Sequence, residues 1–114
     1  MGKKRRLHIV TNEGQPANLT ASEAQNLIRE IAADSAHINV LRPHGEARRK
    51  QRGVSYQDIA RVLRVGRLTE GPYIAIKSGN WRMNVTGQSA GEELTCVVEI
   101  EWRESVLIVT VFKA

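Results

Sequence analysis

Ser55-Tyr56-Gln57-Asp58-Ile59-Ala60-Arg61-Val62-Leu63-Arg64-Val65-Gly66 is the last stretch of the chain in which apolar residues recur every three to four positions. Ile59, Val62 and Leu63 form one stripe, and Ser55 with Asp58 has the spacing of a reciprocal helix cap, so the pattern predicts a helix over about 56–65. Beyond Gly66 the period drops to two. Tyr73 to Lys77, Trp81 to Thr86, Leu94 to Glu101 and Ser105 to Phe112 are rich in β-branched or aromatic residues. Gly71-Pro72, Ser78-Gly79-Asn80, Gly87 to Gly91 and Arg103-Glu104 separate them, which reads as an antiparallel meander. Around the third run Cys96, Val98, Ile100 and Trp102 alternate with Thr95, Val97, Glu99 and Glu101, so only one face of the sheet needs covering.

Toward the N-terminus, Thr20-Ala21-Ser22-Glu23 repeats the cap spacing, and Ala24, Leu27, Ile28, Ile31 and Ala32 follow at helical intervals, predicting an amphipathic helix over 21–35. Ile38 and Val40 suggest a brief extended piece. Pro43 biases Arg42 away from the helical region, which places the start of a second helix near His44 and its span at about 44–52. Gly53 is expected to close that helix, and Gly66 to take the C′ position after the next. Helices first and strands afterwards define an α+β fold. The expected architecture is N-terminal helices packed on one face of a four-stranded antiparallel sheet, as one domain over 19–114 behind a basic arm and turn over 1–18.

The composition narrows the classes of function. With 114 residues, 41% hydrophobic and 25% charged, the chain has the size and make-up of one globular domain. No apolar run approaches the roughly 18 residues of a membrane span. The basic start Met1 to Arg6 is followed only by Leu7, Ile9 and Val10 before polar residues return, too little for the apolar region of a secretion signal. One cysteine, Cys96, and three scattered histidines leave no disulfide and no metal-ligand spacing. The reading is a cytoplasmic protein that needs neither metal nor cofactor, with no membrane role. Aromatic residues make up only 4%, so stacking platforms for single-stranded nucleic acid are scarce.

Charge gives the first positive lead. The net charge is +5 and the pI about 9.9. Residues 1–82 hold 15 Lys and Arg against 7 Asp and Glu, whereas 83–114 hold 2 against 5. Between 42 and 67 lie Arg42, Arg48, Arg49, Lys50, Arg52, Arg61, Arg64 and Arg67, opposed only by Glu46 and Asp58. All but one of these cations are arginines, whose planar fork pairs bidentately with phosphate. RNA is the expected partner. A basic helical face also serves as a plain solvated surface, and that reading stands beside the first.

His44-Gly45-Glu46-Ala47-Arg48-Arg49-Lys50-Gln51-Arg52-Gly53-Val54-Ser55 is the richest segment chemically. On a helix His44, Arg48 and Arg52 stand one turn apart on a single stripe. Histidine is the side chain that exchanges a proton near neutral pH, and guanidinium groups stabilise charge on a phosphate undergoing attack. Attack by a ribose 2′-hydroxyl needs a base, a clamp and an acid, and the stripe offers these without a metal. The candidate catalytic residues are therefore His44, Arg48 and Arg52, with Arg49, Lys50 and Arg67 as further RNA contacts. The alternative is that His44 merely begins the helix and the arginines are solvated or pair with acids. On the sheet, Lys77 and Arg82 flank a turn next to Trp81, a pairing suited to a nucleobase and its phosphate. A tryptophan in a strand is equally a core residue.

The stretch from His44 to Ser55 resembles the signature H-A-x-x-R-M-x-x-R-G-I-S of the bacterial family named domain of unknown function 4258. Ile108-Val109-Thr110-Val111-Phe112 resembles its closing V-V-T-V-Y strand. The resemblance covers about 38–113 and carries His44, Arg48, Arg52, Gly53, Ser55, Gly66 and Thr110, with Val54 in place of Ile. Gly45 stands where the family has Ala, and Arg49 where it has Met. The resemblance implies a helix-then-sheet fold similar to RelE-like and BrnT-like toxin ribonucleases, whose antitoxin covers a basic active face. It thus implies a metal-independent endoribonuclease and an acidic antitoxin-like protein partner. A non-catalytic nucleic-acid- or protein-binding domain of the same fold, or an interaction domain forming a homodimer through sheet edges, fits the same residues.

Overall fold

Reciprocal caps start two of the helices. Thr20 Oγ1 accepts the Glu23 amide at 3.1 Å while the Glu23 carboxylate accepts the Thr20 amide at 2.9 Å, opening α1 (Ala21–Ala32). Ser55 and Asp58 make the same exchange at 3.0 and 2.8 Å before α3 (Tyr56–Val65). Between them come a 3-10 turn (Ser35–His37), β1 (Ile38–Val40) and α2 (His44–Gln51). The computed structural model describes residues 12–114, so the basic tip at Lys3 to Arg6 lies outside them. The first helix ends at Ala32 rather than 35 because Asp34 turns the chain, its carboxylate accepting the Ala36 amide at 3.0 Å.

The two helix-closing glycines work differently. Gly53 has φ +64, and its amide reaches the Lys50 carbonyl while the Val54 amide reaches that of Arg49. That is the double-bonded left-handed stop expected of the sequence. Gly66 is not left-handed: its φ is −78 and its ψ −174. Glycine is needed there for closeness, since a Cβ would lie 2.5 Å from the Val62 carbonyl oxygen and 2.6 Å from that of Thr86.

Among the described residues five strands form one sheet in the order β1-β5-β4-β3-β2, with β2 (Arg67–Ile74), β3 (Trp81–Ser89), β4 (Glu92–Glu101) and β5 (Ser105–Lys113). The α+β class is as expected, but the four-stranded antiparallel sheet is corrected. β1 adds a fifth strand, parallel to β5 with Asn39 opposite Leu107. Three residues paired with a distant strand carry no local turn or hairpin signal. β2 also begins at Arg67, six residues before the expected Tyr73. Gly71-Pro72 is not a boundary but sits inside β2 among register shifts, and an edge strand tolerates proline there.

One face of the sheet holds the core. Met83, Val85, Cys96, Val98, Ile100, Val106, Ile108 and Val111 are buried against Ile28 and Ile31 of α1 and Ile59, Val62 and Leu63 of α3. Burial pushes the Cys96 thiol up to about 12. α1 and α3 are tied at their ends by crossed arginines: Arg29 donates to the Gly66 carbonyl at 2.8 Å, and Arg64 to that of Ala32 at 2.7 Å. Positive charge at a helix C-terminus is favourable. The other face carries a hydroxyl ladder, Thr69 to Thr86 to Thr95, at 2.9 and 2.8 Å. No helix among the described residues is long and apolar enough to cross a membrane.

Candidate nucleic-acid interface

α2 follows from backbone packing rather than from an apolar stripe. Only Gly45 of its eight residues is buried. A Cβ on Gly45 would lie 2.9 Å from the Ile108 carbonyl oxygen and 3.1 Å from that of Val109, so glycine lets the helix backbone rest on β5. The contact falls at a bulge, where Ile108 and Thr110 pair with consecutive β4 residues and Val109 has no partner. The rest of α2 is left to project its charges.

Those charges divide into two groups. Arg49 is half-buried and bound to the protein, while Arg52 is exposed with a single contact to it. Arg52 Nη1 donates to the Val111 carbonyl at 3.3 Å. Arg49 donates to Glu46 at 2.6 Å and to the Val54 carbonyl at 2.9 Å, and its guanidinium lies 4.2 Å from the centre of the Tyr56 ring. His44, Arg48 and Lys50 are exposed, Arg48 touching Gln51 at 3.1 Å. Arg42, just before the helix, and Arg61 on α3 are exposed as well. Arg42 lines a shallow cleft of about 510 Å³ with Pro43, Glu46, Ala47 and Lys50.

Both carboxylates of this face are engaged. Asp58 accepts the Ser89 hydroxyl at 2.6 Å in addition to its cap bonds, and these hold its carboxyl below the usual range. Glu46 takes Arg49 on one oxygen and the Tyr56 hydroxyl on the other. The Arg49 hydrogen bond first, and the Tyr56 one second, lower Glu46 from 4.5 to about 2, while the same bond to Glu46 raises Tyr56 above its ordinary 10. Because the folded value lies below the unfolded one, the stabilisation is complete above about 4.5 and is lost as pH falls toward 2. We expect the Glu46 carboxylate to titrate at about 2 by NMR, with the Tyr56 ring signals moving in step. Titration near 4.5 with a stationary Tyr56 ring would show that the cluster does not form in solution.

The sheet residues read as RNA contacts do not join this face. Trp81 is 7% exposed and its indole N–H donates to the Pro16 carbonyl at 3.1 Å, so its ring belongs to the core and offers no stacking surface. Arg82 is held by Glu99 at 2.9 and 2.5 Å. Glu99 is buried and also accepts from Ser78 and Asn80. Lys77 is exposed in the β2–β3 turn; α2 packs chiefly on β5, near the opposite edge of the sheet. Arg67 is exposed at the start of β2. His44, Arg48 and Arg52 share α2, but Lys77 and Arg82 belong to other elements and meet other partners.

Tyr56 was not singled out by sequence. Its only local signal was an aromatic residue directly after a cap, and its neighbours Glu46 and Arg49 come from the preceding helix. Among the described residues no group of three or more His, Cys, Asp or Glu gathers as metal ligands. The chain matches no protein-family model, no curated protein and no solved structure.

Proposed function

We propose that the chain is an RNA-binding domain that grips the phosphate backbone on the face made by α2 and α3. One observation carries this reading: Arg42, Lys50 and Arg61 stand exposed on consecutive elements, while Glu46, the carboxylate among them on α2, is paired with Arg49. The face therefore keeps its positive field for an outside polyanion. Three phosphate contacts to a single strand give a log–log salt slope of about −2.1, so affinity should fall roughly twentyfold from about 50 to about 200 mM salt. The double substitution Arg42→Glu and Arg61→Glu should abolish most of that binding at low salt, alike for every sequence. Binding that is flat with salt, or unchanged in the double variant, would remove the reading.

Cleavage is a second reading, favoured by His44 and Arg48 standing exposed one turn apart on α2. His44 would exchange the proton and Arg48 would hold the phosphate, with Arg52 bracing the strand edge behind them. The resemblance of the stretch from His44 to Ser55 to the signature of domain of unknown function 4258 supports this by analogy alone. Cleavage that persists in EDTA and disappears in His44→Ala would establish it. An acidic antitoxin-like protein would compete for the same face.

A further inference from the structure

Tyr56 sits beside the exposed cations of this face and joins α3 to α2 through Glu46 and Arg49. Its ring is 50% exposed, yet it is fixed at three points. α3 begins at Tyr56 directly after the Ser55 cap, Glu46 accepts its hydroxyl, and the Arg49 guanidinium covers one side of the ring at 4.2 Å. Arg49 is itself tied to Glu46 and to the Val54 carbonyl. Tyr56 also lines a groove of about 350 Å³ with Ser35, Gln57, Ala60, Arg61, Arg64 and Val65, within the size range of small-ligand sites.

We propose that Tyr56, backed by Arg49, is a stacking platform that takes one nucleobase of a single-stranded RNA into this groove. The inference rests on the phosphate-binding reading and names the form of RNA that the same face selects. A rigid ring loses little freedom on stacking, and a cation against its back complements the ring's negative face. Ala60 supplies an apolar floor, and the Gln57 amide and Ser35 hydroxyl lie at the same groove to meet a base edge. Arg61 on this side, with Arg42 and Lys50 on the α2 side, flanks the ring where the phosphates before and after the base would run. The complementary charge favours a nucleotide over an uncharged or basic occupant.

The test compares a decauridylate with a decamer of the same ribose-phosphate backbone lacking bases, both bound to the full chain at low salt. Wild type should prefer the base-bearing strand by about tenfold, the scale of one stacked base. Tyr56→Leu, which keeps apolar bulk without a π face, should lose that preference while holding its affinity for the abasic strand and its salt slope. Tyr56→Trp should keep or raise the preference, and this arm carries the test by itself if the leucine variant fails to fold. Equal binding of both strands by wild type would overturn the platform and leave the phosphate reading intact. No binding of either strand would overturn both. Tight binding of an acidic amphipathic peptide that depends on Tyr56, with no preference for the base-bearing strand, would assign the groove to a protein partner instead.

Discussion

Arg82→Ala should lower the stability of the domain by about 2 kcal/mol while leaving RNA affinity nearly unchanged, because it removes the partly exposed cation from a buried carboxylate. Glu99 is 3% exposed, and its Oε2 accepts from both the Nε and Nη2 of Arg82. Ser78 and Asn80 satisfy only Oε1. Without Arg82 the buried carboxylate keeps only the bonds to its Oε1. Replacing both residues, as in Arg82→Leu with Glu99→Leu, should recover much of the loss, since no unpaired charge remains. Denaturant unfolding of the single and double variants measures the coupling. A drop in RNA affinity with unchanged stability would return Arg82 to the set of phosphate contacts.

Gly66→Ala is expected to cost about 3 kcal/mol, at the upper end for overpacking a close contact. The backbone angles at Gly66 suit alanine, so conformational freedom is not the issue. The new methyl would meet backbone atoms, the carbonyl oxygens of Val62 and Thr86 at 2.5 and 2.6 Å, which cannot rotate away as a side chain does. Gly87, on β3 opposite, is less tight but meets the same crossing: its Cβ would lie 3.0 Å from the Gly66 Cα. Gly66→Ala and Gly87→Ala should therefore be strongly non-additive, both acting through the same crossing of α3 over β3. Melting temperatures near the wild-type value for Gly66→Ala would show that the crossing is looser than described.

The candidate site was legible in part. The run of cations from Arg42 to Arg67 could be read directly, because charge is a property of residue type. Which cations remain available could not. Arg49 and Arg52 stood in the sequence as phosphate ligands, yet Arg49 is tied to Glu46 and Val54, and Arg52, though exposed, rests one nitrogen on the Val111 carbonyl. Val111 lies 59 residues from Arg52, and no spacing rule links them. Trp81 and Arg82 were separated from α2 for the same reason: strand order, not sequence order, sets their neighbours.

What the sequence determined by itself is local. The caps at Thr20 and Ser55, the left-handed stop at Gly53, the spans of α2 and α3 to within a residue, and the alternation that buries Cys96, Val98 and Ile100 all depend on residues a few positions apart. Their physics is complete within one or two turns of chain. Only the tertiary structure decided the rest: the parallel addition of β1 to β5, the continuation of β2 through Gly71-Pro72, the seat of Gly45 on the β5 bulge, and the joining of Glu46, Arg49 and Tyr56. Each of these depends on which distant backbone or side-chain group fills a given space, and that is settled when the helices pack on the sheet and close the core between them.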